Sequence, residues 1–127
     1  MQSFNQGTLA VEQMAERGRA PCTIVRLGGE HDVATADAVR GALSDVDGDA
    51  AVIVDLTGCT FADSSIIAAL LQARRERSAF AIVLPSDPAS AVVRAFTITD
   101  VTAHLACCAS LDEARRRFEP GQHPPPA

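Results

Sequence analysis

Lysine is absent from this 127-residue sequence. All eleven basic residues other than histidine are arginine, which speaks to codon usage and not to chemistry. Basic charge is scarce altogether, and the formal net charge is −5. That balance argues against a nucleic-acid partner, whose affinity depends on cationic neutralisation of phosphates. Long apolar runs are missing too. No run exceeds the six residues of IIAALL, against the roughly 18 residues a membrane span needs, so no membrane insertion is expected. The first residues, MQSFNQGTLAVEQ, have neither a basic start nor an apolar centre, so no secretory signal is read there. A cytoplasmic location is the default expectation.

Paired metal-ligand motifs are also lacking. The four cysteines, Cys22, Cys59, Cys107 and Cys108, form no CxxC, and their spacing does not converge on an ion. Free thiols, buried or half-buried, are the expectation in a reducing compartment. No GxxxxGK[ST] or GxGxxG occurs, so no phosphate-cradling cofactor loop is read. No cofactor and no metal are expected.

What is present is ordinary globular composition, 47% apolar and 21% charged, with length for one core. CTIVRL at 22–27 is a short β-branched strand stopped by the two glycines at 28–29. A less distinct strand precedes it at about 8–13, with GRAP at 18–21 as the turn. Residues 35–46 carry Ala36, Val39, Leu43 and Val46 at three- and four-residue steps. That spacing predicts a helix capped by Thr35 and ended by DGD at 47–49. AVIVDL at 51–56 reads as a central strand covered on both faces. A second helix is predicted over 64–77, with Ile67, Ala68, Leu70 and Leu71 inward and arginines at its negative end. FAIVL at 80–84 is the next strand. A helix follows with Asp87 as cap, Pro88 at its first position and Val92, Val93 and Phe96 inward. A last strand is placed near 103–107 and a last helix at 110–118 with Ser110 as cap. The Pro-rich 119–127 is expected to be a disordered tail. Strands alternating with helices predict a single small α/β domain over residues 1–118.

The stretch TFADSSIIAALLQARR at 60–75 sets an acid and two hydroxyls between a strand and a helix. A serine on such a turn suggests a nucleophile elbow, but that motif needs glycines two residues either side. Here those positions hold Ala62 and Ile66 around Ser64, or Asp63 and Ile67 around Ser65. A hydrolase would also need a histidine base, for which His31 beside Asp32 is the candidate; no spacing signature supports it, and no enzyme is expected. Asp63 as a helix cap explains one polar residue. The two serines are more than a cap requires. A hydroxyl in the first helical turn faces free N–H groups and the positive end of the dipole. A phosphate added there carries roughly two negative charges onto any partner surface.

Three blocks together resemble the STAS domain family, of the anti-sigma-factor antagonist type. They are LGGEHDVATADAVRGAL at 27–43, VIVDLTGCTFADSSIIAALLQARR at 52–75 and VVRAFTITDVTAHLACCASLDEARRRF at 92–118. The first looks like the family's GELD loop and helix, the second like its F-x-DSSG phosphorylation loop, the third like its terminal S-x-x-EA helix. The resemblance implies a STAS-type fold, a mixed sheet of four to five strands packed against about four helices. It implies an antagonist that binds an anti-sigma factor which is also a serine kinase, frees the sigma factor, and lets go once phosphorylated; a phosphatase would reset it. Carried over, Ser64 is the phosphoacceptor, with Asp63, Ser65 and Ile66 completing the phosphorylation loop. Glu30, His31, Asp32, Thr35 and Ile67 are implied to border the partner. Ile66 stands where the family has glycine, and His31 where it has an apolar residue. A β-branched residue at 66 is expected to add exposed apolar area beside the site and to select among kinases. The alternative is a non-switching STAS scaffold, or a regulatory subunit of a stress complex or lipid-transport ATPase.

Overall fold

The computed structural model describes residues 7–15, 21–46, 50–77 and 79–119. The sheet runs in the order β1-β2-β3-β5-β6, with β4 also paired to β2. Its strands are β1 (Thr8–Met14), β2 (Cys22–His31), β3 (Ala51–Asp55), β4 (Cys59–Ala62), β5 (Phe80–Val83) and β6 (Cys107–Cys108). β1 runs antiparallel to β2, and every other pairing is parallel. The helices are α1 (Val33–Ser44), α2 (Ser64–Glu76), α3 (Ala91–Ile98) and α4 (Leu111–Arg116), with a single 3-10 turn at Val101–Ala103. This is the mixed α/β sheet with four helices that the resemblance implies, with six strands where four to five were expected.

The apolar runs split by strand periodicity. Val25, Leu27, Val52, Val54, Phe80 and Ile82 point to one face, where they meet residues of α1, α2 and α3 such as Val39, Leu43, Leu70, Val92 and Phe96. The alternate set, Cys22, Ile24, Ala51, Ile53, Ala81, Val83 and Cys108, points to the other face against Ala114 of α4. Because both faces are covered, the central strands read as continuous apolar runs rather than alternating ones. Ala36, Val39, Leu43 and Val46 are all buried, as their spacing requires.

Several boundaries differ from the sequence expectation, each for a local reason. β2 does not stop at the glycines but continues to His31. Gly29 takes φ 74°, a conformation open to glycine, and the ladder to β4 shifts register there. The short polar TGCTFA gave no strand signal, yet β4 extends the line of β3 along β2 after a break at 56–58. α1 starts two residues early because Asp32, not Thr35, is its cap; Thr35 closes a capping box from the N3 position. α1 also ends at Ser44, before the residues 47–49 assigned to stop it, which lie outside the described residues. The third helix is capped by Ser90; Asp87 instead makes a turn, accepting from Ala89 N. The strand expected at 103–107 is only Cys107–Cys108, preceded by the 3-10 turn. Ser110 caps α4 through Glu113 N as predicted. On α2 the inward set is Ile66, Ile67, Ala69, Leu70 and Ala73, and Ala68 is exposed. The GRAP turn and most of the proline-rich tail lie outside the described residues.

Candidate functional site

β2 and β4 end side by side, with His31 paired to Ala62. One residue beyond each strand a helix begins: Asp32 caps α1 and Asp63 caps α2. The two helix N-termini therefore converge at the ends of parallel strands, where an α/β sheet gathers unpaired N–H groups. Asp63 N–H donates to His31 O at 3.3 Å, which ties the second cap to the end of β2.

The Asp63 carboxylate organises the junction. Its Oδ1 accepts from Ser65 N at 3.0 Å, Ser65 Oγ at 2.5 Å and Ile66 N at 3.3 Å. Desolvation alone would raise its pKa. Hydrogen bonds from Ser65 Oγ and from the N–H groups of Ile66, Ser65 and Val33 outweigh that and hold it below the ordinary value. Val33 opens α1, so one carboxylate serves the first turns of both helices.

The two serines have opposite roles. Ser65 Oγ is spent on Asp63. Ser64 is the first residue of α2 and is exposed. Among the described residues its hydroxyl makes no hydrogen bond. Glu30 and Asp32 are also exposed on this end of the molecule, and so are two large apolar side chains beside the caps, Val33 at 74% and Phe61 at 43%. Neither of those was read from the sequence. An apolar residue at a helix start or strand end carries no periodic signal, and only the convergence of β4 and α1 brings them out.

His31 is buried, 1% exposed. Its Nε2 lies 3.1 Å from both Thr8 O and Gly28 O, so that nitrogen carries the proton and donates. Nδ1 is 3.0 Å from Thr35 Oγ1. Gly7 lies so close that a Cβ there would sit 2.4 Å from the ring. Both nitrogens are engaged with β1, β2 and α1, which leaves none to serve as base for Ser64. Asp32, the third member of the candidate hydrolase set, is used as a cap through Ala34 N at 2.9 Å. The Ser64–His31–Asp32 catalytic arrangement is not assembled. Among the described residues no cluster of His, Cys, Asp and Glu could hold a metal ion.

A family model described as "Mlab, STAS domain" matches residues 14–106. The chain belongs to the STAS domain family. The sequence has no match among curated proteins. Solved structures of the same fold include an anti-sigma factor antagonist from Mycobacterium paratuberculosis, with TM-score 0.76 and 24% identity over 93% of this chain and 98% of that one. SpoIIAA in its unphosphorylated form aligns with TM-score 0.59 and 22% identity, over 84% and 92% of the two chains. The Bacillus cell fate determinant SpoIIAA in the phosphorylated form aligns with TM-score 0.60 and 22% identity, over 87% and 98%. These likenesses establish the fold.

Within this STAS domain the residues assigned from sequence divide in two. Asp63, Ser64, Ser65, Glu30, Asp32 and Thr35 lie around the two converging caps. His31, Ile66 and Ile67 are buried, at 1%, 0% and 6% exposure. Ile66 therefore adds no apolar surface beside the site, contrary to expectation. It points into the core, because the third residue of α2 already faces the sheet. Its side chain stands beneath the loop and does not reach the surface. His31 and Ile67 likewise support the site from below.

Proposed function

We propose that this STAS domain is an anti-sigma-factor antagonist, one that binds an anti-sigma factor doubling as a serine kinase and is switched off by phosphorylation of Ser64. The observation that carries the reading is the contrast between the serines. Asp63 consumes Ser65 and fixes the backbone, so that Ser64 alone presents a free, exposed hydroxyl at a helix start. The likeness to SpoIIAA, solved in phosphorylated and unphosphorylated forms, supports it. Val33 and Phe61 supply apolar contact area beside the hydroxyl, and Glu30 and Asp32 a polar, acidic rim. A doubly charged phosphate set among them would repel or strand charge at a surface matched to the neutral hydroxyl.

The test is to incubate the protein with its cognate kinase and ATP and map phosphate by mass spectrometry. Phosphate on Ser64 is expected; none on Ser64 or Ser65 removes the switch. For the partner, Ser64→Asp is expected to weaken binding by tenfold or more while Ser64→Ala retains it, measured by calorimetric titration. Equal affinities would contradict the electrostatic mechanism.

The matched family model carries the description Mlab and not that of an antagonist. That favours one second reading, a non-switching STAS subunit of a stress complex or lipid-transport ATPase. A pull-down returning an ATPase or transporter subunit, with no kinase-like anti-sigma factor, would select it.

A further inference from the structure

His31 is buried beneath the exposed end that carries Ser64, and the two sides of its ring meet different chemistry. On the Nε2 side stand two main-chain carbonyls, Thr8 O and Gly28 O, each at 3.1 Å. Carbonyls only accept, so Nε2 keeps its proton whatever the charge of the ring. On the Nδ1 side stands Thr35 Oγ1 at 3.0 Å, a hydroxyl that both donates and accepts. The same oxygen lies 3.2 Å from Asp32 O and 3.3 Å from Asp32 N. Its one proton therefore has two acceptors within reach, His31 Nδ1 and Asp32 O.

Those two settings match the two charge states of an imidazole. With the ring neutral, Nδ1 is an acceptor and the Thr35 hydroxyl donates to it. With a second proton taken from solvent, Nδ1–H donates to Thr35 Oγ1, and the hydroxyl turns its own proton to Asp32 O. Asp32 N–H donates to Oγ1 in both states. No ring donor is left without an acceptor in either. In a buried site that condition decides whether a charge can be held, because an unpartnered charged N–H is costly there.

We propose that His31 and Thr35 form a proton switch inside this end of the molecule, in which protonation of Nδ1 turns the Thr35 hydroxyl from the ring to Asp32 O while the fold is kept. Burial and the positive end of the α1 dipole oppose the charged ring. Nearby carboxylates favour it. Of the charged residues on β1, β2 and α1, Glu12 and Arg26 pair with each other, Arg26 also with Asp55, and Asp37 with Arg40. Those left at this end are acidic: Glu30 and Asp32 on either side of His31 in sequence, and Asp63, whose N–H donates to His31 O. Histidine is the side chain whose ordinary titration falls between about pH 5 and 8. A falling pH thus sets a positive charge under the rim of Glu30 and Asp32 and leaves both helix caps in place. The rim loses net negative charge without losing its geometry.

Nitrogen-15 NMR of the full chain over a pH series tests this. At high pH the His31 ring is expected to carry its proton on Nε2 with Nδ1 bare. As pH falls, Nδ1 should gain a proton while circular dichroism stays native, and the Asp32 and Thr35 amide signals should move with the same midpoint. The exposed His104 ring is the reference in the same spectra. A His31 ring that stays neutral until the chain unfolds, or that titrates without moving Asp32 and Thr35, overturns the proposal. Thr35→Val removes the hydroxyl at nearly constant shape. It should lower the His31 midpoint by about half a unit or more, since a bond from a charged donor is worth more than one to a neutral ring. Thr35→Ser should restore the midpoint. An unchanged midpoint in Thr35→Val overturns the proposal, and the wild-type spectra decide it alone if that variant does not fold. The titration needs neither kinase nor partner, so its outcome is separate from that of Ser64.

Discussion

Asp63 and Ile66 explain more of this molecule than Ser64 does, although Ser64 has the free hydroxyl. Asp63 has a depressed carboxyl pKa in the folded chain. The charged carboxylate therefore stabilises the fold above the ordinary carboxyl pKa, and that contribution is lost as pH falls through the lowered folded value. Asp63→Asn keeps a capping side chain but removes the charge. It is expected to melt below wild type at pH 7, with the gap closing below about pH 4; a gap constant with pH would show that charge is not what matters. Ile66 sits under the same turn at 0% exposure. Replacing it with the family's glycine deletes a buried side chain and puts a flexible residue in a helix. A loss of about 3–5 kcal/mol is expected by chemical denaturation, so the variant should be less stable and not better switched.

At the scale of elements, the helix starts are fixed by side-chain caps while their placement is fixed by strands. Asp32, Asp63, Ser90 and Ser110 each accept from a backbone N–H of the following helix. Aspartate and serine are both strong caps, which is why most helix starts were legible within two or three residues. β4 was not legible, because CTFA has no apolar run; it exists through pairing with the end of β2. α1 contains a glycine in its interior, Gly41, in open space. Gly41→Ala should stabilise the protein by about 0.5–1 kcal/mol, read as a shift in the denaturant midpoint. Destabilisation would mean that something approaches the backbone there.

For the whole molecule, the four thiols are divided between the two faces of the sheet, Cys59 and Cys107 on the side of α1, α2 and α3 and Cys22 and Cys108 on the side of α4. Cys22, Cys59 and Cys108 are buried and Cys107 is half-buried, all of them free. Burial pushes the Cys59 and Cys108 thiols up, and burial with the neighbouring Cys108 raises Cys107 to about 11. Protonated, shielded thiols react slowly. Alkylation of the native protein at pH 8 should be slow at all four, and should accelerate together at the denaturant midpoint of global unfolding. Fast labelling of Cys107 alone would reveal local opening of β6. No described helix is long and apolar enough to cross a membrane.

The sequence by itself determined the alternation of strands and helices, the inward stripe of α1 and the DSS joint at the start of α2. Those are local properties, set by side-chain period and by the hydroxyl and carboxylate chemistry of caps. Tertiary structure decided which side chains of the joint reach the surface. Ile66 and His31 looked like surface departures from a family pattern, but exposure depends on what packs above a residue. Only the meeting of β1, β2, β4 and α1 seals His31 and turns Ile66 inward, leaving Ser64, Val33 and Phe61 outside.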